Sequence, residues 1–376
     1  LQPTDIPWRV FTSPAARWAE LPSFVVGEYL FIALALVALW HAWRNGRAHL
    51  VAWLAALIAG TANDLIFMAL PLVDNFWHAQ ATLMLTPRLP VYIPCVYVCF
   101  MYLPTVAAWR LGMRGVPRAA LTGLAAILFY APFDIVGAKL LWWTWHDTDM
   151  PIAHRILGAP IGSTMWVITF AASFAWLVGR VVDRDPTMRG TSVAKGLLLP
   201  AAFSTVLMMV QMTALQPFGG GIPGPVPLAL LVAGYAGLAL WGARAAAPRL
   251  PQPSDRAMAA AIALHLLAHI AIIVAFDPTT HRSASMHQVY GPCHVEAKDI
   301  TGLTRYEFLC AEDFDEDFSF DCVNELPSSG DAWYTVCGVA HTNKAAWVGG
   351  VAALVAAALA LYGLMLGVLT SRRRQR

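Results

Sequence analysis

Asp64 and Asp134 are the residues of this chain best placed to do chemistry, because each lies inside a run of apolar residues long enough to cross a bilayer. A charge near the bilayer centre costs at least ~2.5–3.5 kcal/mol on insertion scales, so polar residues kept there face the bundle interior, pair, or mark a pathway. A carboxyl group in such a place can give a proton to a substrate as a general acid. That is one way to attack an alkene or an ether inside a membrane. A pair of carboxyls can instead pass protons along a transport path.

Other polar residues share these apolar runs. Glu28, Asn63 and Gln211 are expected to line a substrate path. His265 and His269 stand at i and i+4, on one face of a helix, a spacing that lets two imidazoles hold one metal. A divalent metal is therefore the cofactor the sequence allows, and the alternative is hydrogen bonding to Asn63, Asp64 or Gln211. Position 266 is Leu, not the Glu of a metalloprotease signature.

The densest polar and aromatic motif is WWTWHDTDMPIAHR, from Trp142 to Arg155. His146, Asp147 and Asp149 join Asp64 and Asp134 as the catalytic candidates, through acid–base or metal-ligand chemistry. Trp143, Trp145, His154 and Arg155 are expected to line the substrate site or read a headgroup, although tryptophans also form interfacial belts. Lys139 is expected to snorkel outward. A weak echo links NDLIFMALPLVDNFWH (63–78) to FDIVGAKLLWWTWH (133–146): in each, an intramembrane Asp precedes a Trp-His pair. It adds Trp77 and His78 to the expected lining.

The pattern FD…WWTWHDTD…GAPIGSTMW, over roughly residues 130–166, resembles membrane carotenoid cyclases and hydratases. The resemblance implies a helical bundle whose acidic residues protonate polyene ends, and so an isoprenoid or lipid substrate. The paired-acid motif that follows a proline in the cyclases is missing here, and the cysteine-bearing segment described below has no counterpart in that family.

These residues need a membrane bundle to position them. Hydrophobic residues make up 58% of the 376-residue chain and charged residues 13%, whereas a soluble domain carries about a quarter charged. Nine spans are predicted, over 24–43, 50–73, 91–110, 119–141, 161–182, 197–217, 226–243, 257–276 and 345–370, each helical because lipid cannot satisfy the backbone. Basic residues gather in alternate connections: Arg44 and Arg47; Arg110, Arg114 and Arg118; Arg180, Arg184, Arg189 and Lys195; Arg244, Arg249 and Arg256; Arg372, Arg373, Arg374 and Arg376. By the positive-inside rule the N-terminus is expected outside and the C-terminus in the cytoplasm, in the plasma (inner) membrane. No basic patch interleaved with aromatics points to nucleic acid. The expected partners are the bilayer and a hydrophobic small molecule.

The domain reading has four parts: an exoplasmic N-terminal segment (1–23), an eight-helix bundle (24–276), an exoplasmic insertion (277–344), and a final helix with a basic tail (345–376). The insertion holds Cys293, Cys310, Cys322 and Cys337, which in an exported segment read as two disulfides of open connectivity. Its acidic run AEDFDEDFSFD (311–321) reads as a solvated loop. The fold class is an all-α polytopic bundle with a small disulfide-stapled loop domain. A membrane-embedded acid–base or metal-assisted enzyme acting from the exoplasmic side is the first functional reading. A transporter or channel using the same polar residues, and a receptor or assembly module binding through 277–344, are the alternatives.

Overall fold

The structure is a computed structural model that describes residues 7–70, 76–146, 149–246, 252–299, 302–310 and 318–369. Asp147, Arg249, the basic tail Arg372–Arg376 and most of the acidic run fall outside the described residues. Among the described residues, a short helix α1 (Pro14–Glu20) precedes nine long ones: α2 (Pro22–Asn45), α3 (Arg47–Ala69), α4 (Tyr92–Trp109), α5 (Gly115–Lys139), α6 (Ile161–Arg184), α7 (Thr191–Leu215), α8 (Pro225–Ala245), α9 (Arg256–Ala275) and α10 (Lys344–Met365). All nine are long and apolar enough to cross a membrane, the mark of a multi-pass membrane protein. α5 and α7 begin before their expected starts at 119 and 197, because polar first turns carrying Arg118 and Lys195 extend the helix beyond its apolar stretch.

Local sequence sets the breaks. Gly46 alone separates α2 from α3, at φ 94°, a conformation that costs glycine little and other residues much. Asp255 caps α9 and Asn343 caps α10, each side chain accepting an N–H of the first turn. Pro104, Pro132 and Pro200 lie inside α4, α5 and α7, which run on through them.

α4 is the central helix: 89% of its apolar stretch is buried, against 17% for α8. It packs on α2, α3 and α5. Trp40, Trp43, Leu54, Ile58, Val210, Trp241 and Leu264 point outward from the long helices, a surface suited to lipid rather than water. Connections alternate between two ends. One carries Arg44, Arg47, Arg110, Arg114 and Arg184 and is called the arginine face; the other carries both disulfides and is called the disulfide face.

The disulfide face amends the expected all-α class. Two strands, β1 (Phe76–His78) and β2 (Trp143–Trp145), form an antiparallel ribbon with Phe76 opposite Trp145 and His78 opposite Trp143. The two echoed Trp-His segments therefore meet side by side. A tight hairpin follows, β3 (Arg155–Ile156) with β4 (Ala159–Pro160). In the insertion, β5 (Arg282–Met286), β8 (Phe318–Ser319) and β9 (Trp333–Gly338) make a sheet in the order β5-β9-β8, while β6 (Glu296–Lys298) pairs with β7 (Thr304–Tyr306). Burial alternates along β5, the period-two pattern of a half-covered strand. Cysteine pairing is Cys293–Cys310 and Cys322–Cys337, with Cα atoms 5.3 and 5.7 Å apart. The insertion sits on the bundle: His281 meets Ser23 at 2.7 Å, and His146 meets the Tyr306 carbonyl at 3.0 Å. Lys139 does not snorkel. It is fully buried, with its ammonium 5.2 Å from the Trp347 ring centre.

Candidate functional site

Asp64 sits near the disulfide-face end of α3, one turn after Gly60. A Cβ at Gly60 would lie 2.2 Å from both Cβ and Cγ of Tyr97. The missing side chain is thus what lets the Tyr97 ring on α4 lie against α3 and reach along it. The Tyr97 hydroxyl donates to Asp64 Oδ1 at 2.8 Å. Asn63 Nδ2 donates to the Tyr97 oxygen at 3.3 Å, and Thr205 on α7 donates to Asn63 Oδ1 at 2.9 Å. One carboxyl oxygen of Asp64 is therefore fixed by a chain that ties three helices together.

The other oxygen is not fixed. Asp64 Oδ2 lies 3.6 Å from His78 Nε2 on β1. Asp64 Oδ2 and both nitrogens of His78 are buried with no hydrogen-bond partner among the described residues. Leaving a buried polar atom unpaired costs about 1–3 kcal/mol, and such atoms are uncommon in native folds. Here two of the three, Asp64 Oδ2 and His78 Nε2, lie side by side.

They converge on a cavity of about 200 Å³. Asn63, Asp64 and His78 line it together with Phe100, Tyr130, Phe133, Trp143, Trp145 and Trp166, and a wall of Met208, Met209 and Met212 from α7. Methionine side chains adapt their shape to apolar ligands, and aromatic faces attract cations. The insertion supplies Asp299, Leu303 and Arg305 at the cavity's edge. Arg305 is held between two acids: its Nε donates to Asp299 Oδ2 at 2.9 Å, and its Nη1 pairs with Asp149. This buried triad clamps the β6–β7 hairpin over the loop that follows β2.

Of the expected site residues, Asp64, Asn63, His78, Trp143 and Trp145 share this cavity. The others are placed elsewhere. Glu28 is fully buried and accepts from Thr82 N, Thr82 Oγ1 and Leu83 N at 3.0, 2.7 and 3.2 Å, so it anchors the loop that follows β1. Gln211 bridges Ser173 on α6 and Tyr235 on α8. Trp77 faces away, into a separate cavity with His146, Asp149 and His287. Asp149 serves the Arg305 clamp. His146 bonds the insertion, and burial pulls its imidazole down to about 4. His154 is exposed beside Gly224, and Arg155 donates to the Ile152 carbonyl at 3.3 Å.

Asp134 is 1% exposed and does not line the cavity; neither oxygen has a hydrogen bond of standard geometry. Ser163, which does line the cavity, is the polar group that interacts with it. His265 and His269 are buried apart from Asp64, with ring centres 4.7 Å from each other and among Phe31, Phe129, Phe133 and Trp142. His269 Nδ1 bonds the His265 carbonyl at 3.0 Å, not Asn63, Asp64 or Gln211. Among the described residues, no three His, Cys, Asp or Glu side chains group as metal ligands.

Tyr97, Thr205, Tyr130, Trp166 and the methionine wall carry the site and were missed as candidates. Tyr97 recurs with Tyr92 and Tyr102 every five residues along α4, but aromatics in an apolar helix read the same whether they pack or line a cavity. The Asp299–Arg305 contribution had no local signal.

A family model, Domain of unknown function (DUF7802), matches residues 8–183 and 243–366. Asp64, His78, Tyr97 and Arg305 fall within the matched segments; Thr205 and the three methionines lie between them. No curated protein and no solved structure matches the chain.

Proposed function

The chain belongs to this family of unknown function, and from the site itself we propose a membrane-embedded acid–base enzyme that acts on an unsaturated isoprenoid or lipid chain. One observation carries the reading. A carboxyl group with one oxygen fixed and the other open toward an unpartnered imidazole faces a cavity walled by aromatic rings and methionines.

Asp64 is the general acid and Tyr97 holds its orientation. Asp64 gives its proton to one carbon of a C=C bond, and the π electrons form the new C–H bond. The adjacent carbon becomes a cation, which the faces of Trp143, Trp166 and Phe100 stabilise. Loss of a neighbouring proton to His78 forms a new C=C bond, and the imidazolium returns that proton to Asp64. The net change is a shifted double bond or, where the cation meets a second alkene, a ring. Exclusion of water by the apolar walls protects the cation.

The enzyme reading is favoured over transport because α4, α5 and α7 continue unbroken through Pro104, Pro132 and Pro200. Transporter sites are typically built on discontinuous helices. The insertion contributes to the cavity edge, so it serves the same site rather than a separate receptor surface. The proposed setting is the plasma (inner) membrane, with the disulfide face and N-terminus outside and the arginine face and C-terminus in the cytoplasm, as basic loops and exported disulfides both favour.

The test is mass spectrometry of lipid extracts from cells expressing wild type, Asp64→Asn or His78→Gln. Wild type produces an isoprenoid or lipid isomer that Asp64→Asn abolishes and His78→Gln reduces by about 10²–10⁴. Identical extracts from wild type and Asp64→Asn overturn the assignment.

A further inference from the structure

The cavity that holds Trp77 and His146 lies at the seam between the insertion and the bundle and measures about 250 Å³. Met68 lines it from the last turn of α3, His146 from the loop after β2, and Met286 and Gln288 from the end of β5 and the residues beyond. It shares Arg305 alone with the Asp64 cavity.

Two acceptor atoms in this lining have no partner, and backbone carbonyls decide which atoms they are. His146 Nε2 lies 3.0 Å from the Tyr306 carbonyl. A carbonyl only accepts, so Nε2 carries the hydrogen. Burial keeps the ring neutral at pH 7, which leaves Nδ1 as a bare lone pair. Gln288 Nε2 donates to the Glu307 carbonyl at 3.1 Å and, more weakly, to the Tyr306 carbonyl at 3.5 Å. Its Oε1 is then the open end of the amide. His146 Nδ1 and Gln288 Oε1 are both buried without a hydrogen-bond partner among the described residues, on residues 2% and 9% exposed. An imidazole that spends its one N–H on a backbone carbonyl and keeps its other nitrogen bare has the arrangement of a metal-bound histidine.

The neighbouring groups decide which ion fits. Met68 and Met286 bring thioether sulfurs, which are soft and uncharged. His287, also in the lining, is engaged through both nitrogens: Nδ1 with Thr144, and Nε2 with Ser285 and the Ser283 carbonyl. Asp149 pairs with Arg305. The four cysteines of the insertion are spent in disulfides. No three His, Cys, Asp or Glu side chains come together among the described residues, so the usual zinc set is lacking. The charged residues of the lining are Arg88, Arg305, Asp149 and Glu307, two of each sign, so the cavity has no net charge to draw in a dication. Thioether ligands with an imidazole select copper(I), and thioethers stay available in an oxidising compartment where thiols are consumed as disulfides.

We infer that this cavity binds one copper(I) ion through His146 Nδ1 and the Met68 and Met286 sulfurs, with Gln288 Oε1 beside it. The ion relieves a buried lone pair whose loss of partner costs about 1–3 kcal/mol. It also joins α3, the loop after β2 and strand β5, three segments that meet only at this seam. The site is independent of the acid–base reading, because none of its ligands lines the Asp64 cavity.

The experiment is anaerobic titration of the full chain in detergent micelles with copper(I), kept reduced by ascorbate, against bathocuproine disulfonate as a coloured competing chelator. Wild type takes one copper(I) per chain from the chelator, and excess zinc(II) does not displace it. Met68→Leu combined with Met286→Leu conserves volume, so the fold is kept while both sulfurs are lost. Copper affinity then falls by about a hundredfold or more, beyond the roughly ten- to hundredfold that follows loss of a ligand's supporting bond. Sulfur scattering also disappears from the copper X-ray absorption spectrum of any ion still bound. His146→Gln retains an N–H for the Tyr306 carbonyl but has no ring nitrogen, and it weakens binding by a similar factor. Copper held elsewhere, at Cys95 or Cys99, does not respond to these substitutions. Failure of wild type to take copper(I), an affinity unchanged in Met68→Leu with Met286→Leu, or displacement by zinc(II) overturns the inference.

Discussion

Arg305→Met tests how the insertion is held over the Asp64 cavity. Side-chain exposures are 7% for Arg305, 2% for Asp149 and 0% for Asp299. Solvent therefore screens the triad little. Removing the cation takes from both buried carboxylates the charge that each pairs with here, and breaking a buried ion pair costs about 3–5 kcal/mol. The β6–β7 hairpin is two short strands, too few to be stable alone, so this cost appears as local opening rather than global unfolding. At ~1.4 kcal/mol per tenfold, protection of the hairpin amides falls by roughly two to three and a half orders of magnitude. Hydrogen exchange reads it at the amides of Asp299, Gly302 and Glu307, which donate to Leu303 O, Asp299 O and Val295 O. Amides in the interior of α4 keep their wild-type rates. Combining Arg305→Met with Asp149→Asn and Asp299→Asn removes both carboxylate charges and restores most of the protection, because an uncharged replacement of a buried ion pair is often neutral. Protection in Arg305→Met within about threefold of wild type would mean that the clamp holds nothing.

Two further outcomes are expected. Gly60→Ala drives a methyl group to 2.2 Å from Tyr97, an overpacking worth about 1–3 kcal/mol; detergent melting drops, and Gly60→Ala with Tyr97→Ala recovers stability but not the Asp64-dependent product, whereas an unchanged melting temperature in Gly60→Ala refutes the close approach. Burial holds His146, His281 and His287 at about 4 against an ordinary 6.5. Each binds its proton more weakly folded than unfolded, so its contribution to stability is complete above about pH 6.5, declines as pH falls, and is gone below about 4. Proteolysis of the disulfide face accordingly accelerates across that window, and a flat profile between pH 7 and 4.5 counts against it.

The sequence pattern gave away the bundle because spanning helices need about 20 apolar residues each, and only their ends drifted. Where a polar first turn continued the helix, as at Arg118 and Lys195, hydropathy had no means of marking the start. The disulfides were foreseeable as a pair of bridges, but their connectivity depends on how β9 lies beside β5 and β8, which no spacing encodes. His78 stood out only through the Trp-His echo, and Asp64 as a costly residue in apolar surroundings. Glu28 and Gln211 stood out for the same reason and proved to be tethers, since a buried polar group looks alike in sequence whether it holds a loop or faces a cavity. Tyr97 escaped notice because its role depends on Gly60, on another helix.

Asp64, His78 and Tyr97 come from the first third of the chain, whereas Arg305 and Asp299 arrive only after eight of the nine long helices among the described residues have been made. During translation Asp64 and His78 are made well before the segment that completes the cavity lining. A nascent or truncated chain ending before it would carry Asp64 and His78 without Asp299, Leu303 and Arg305 beside them, so the order of synthesis decides when the lining is complete.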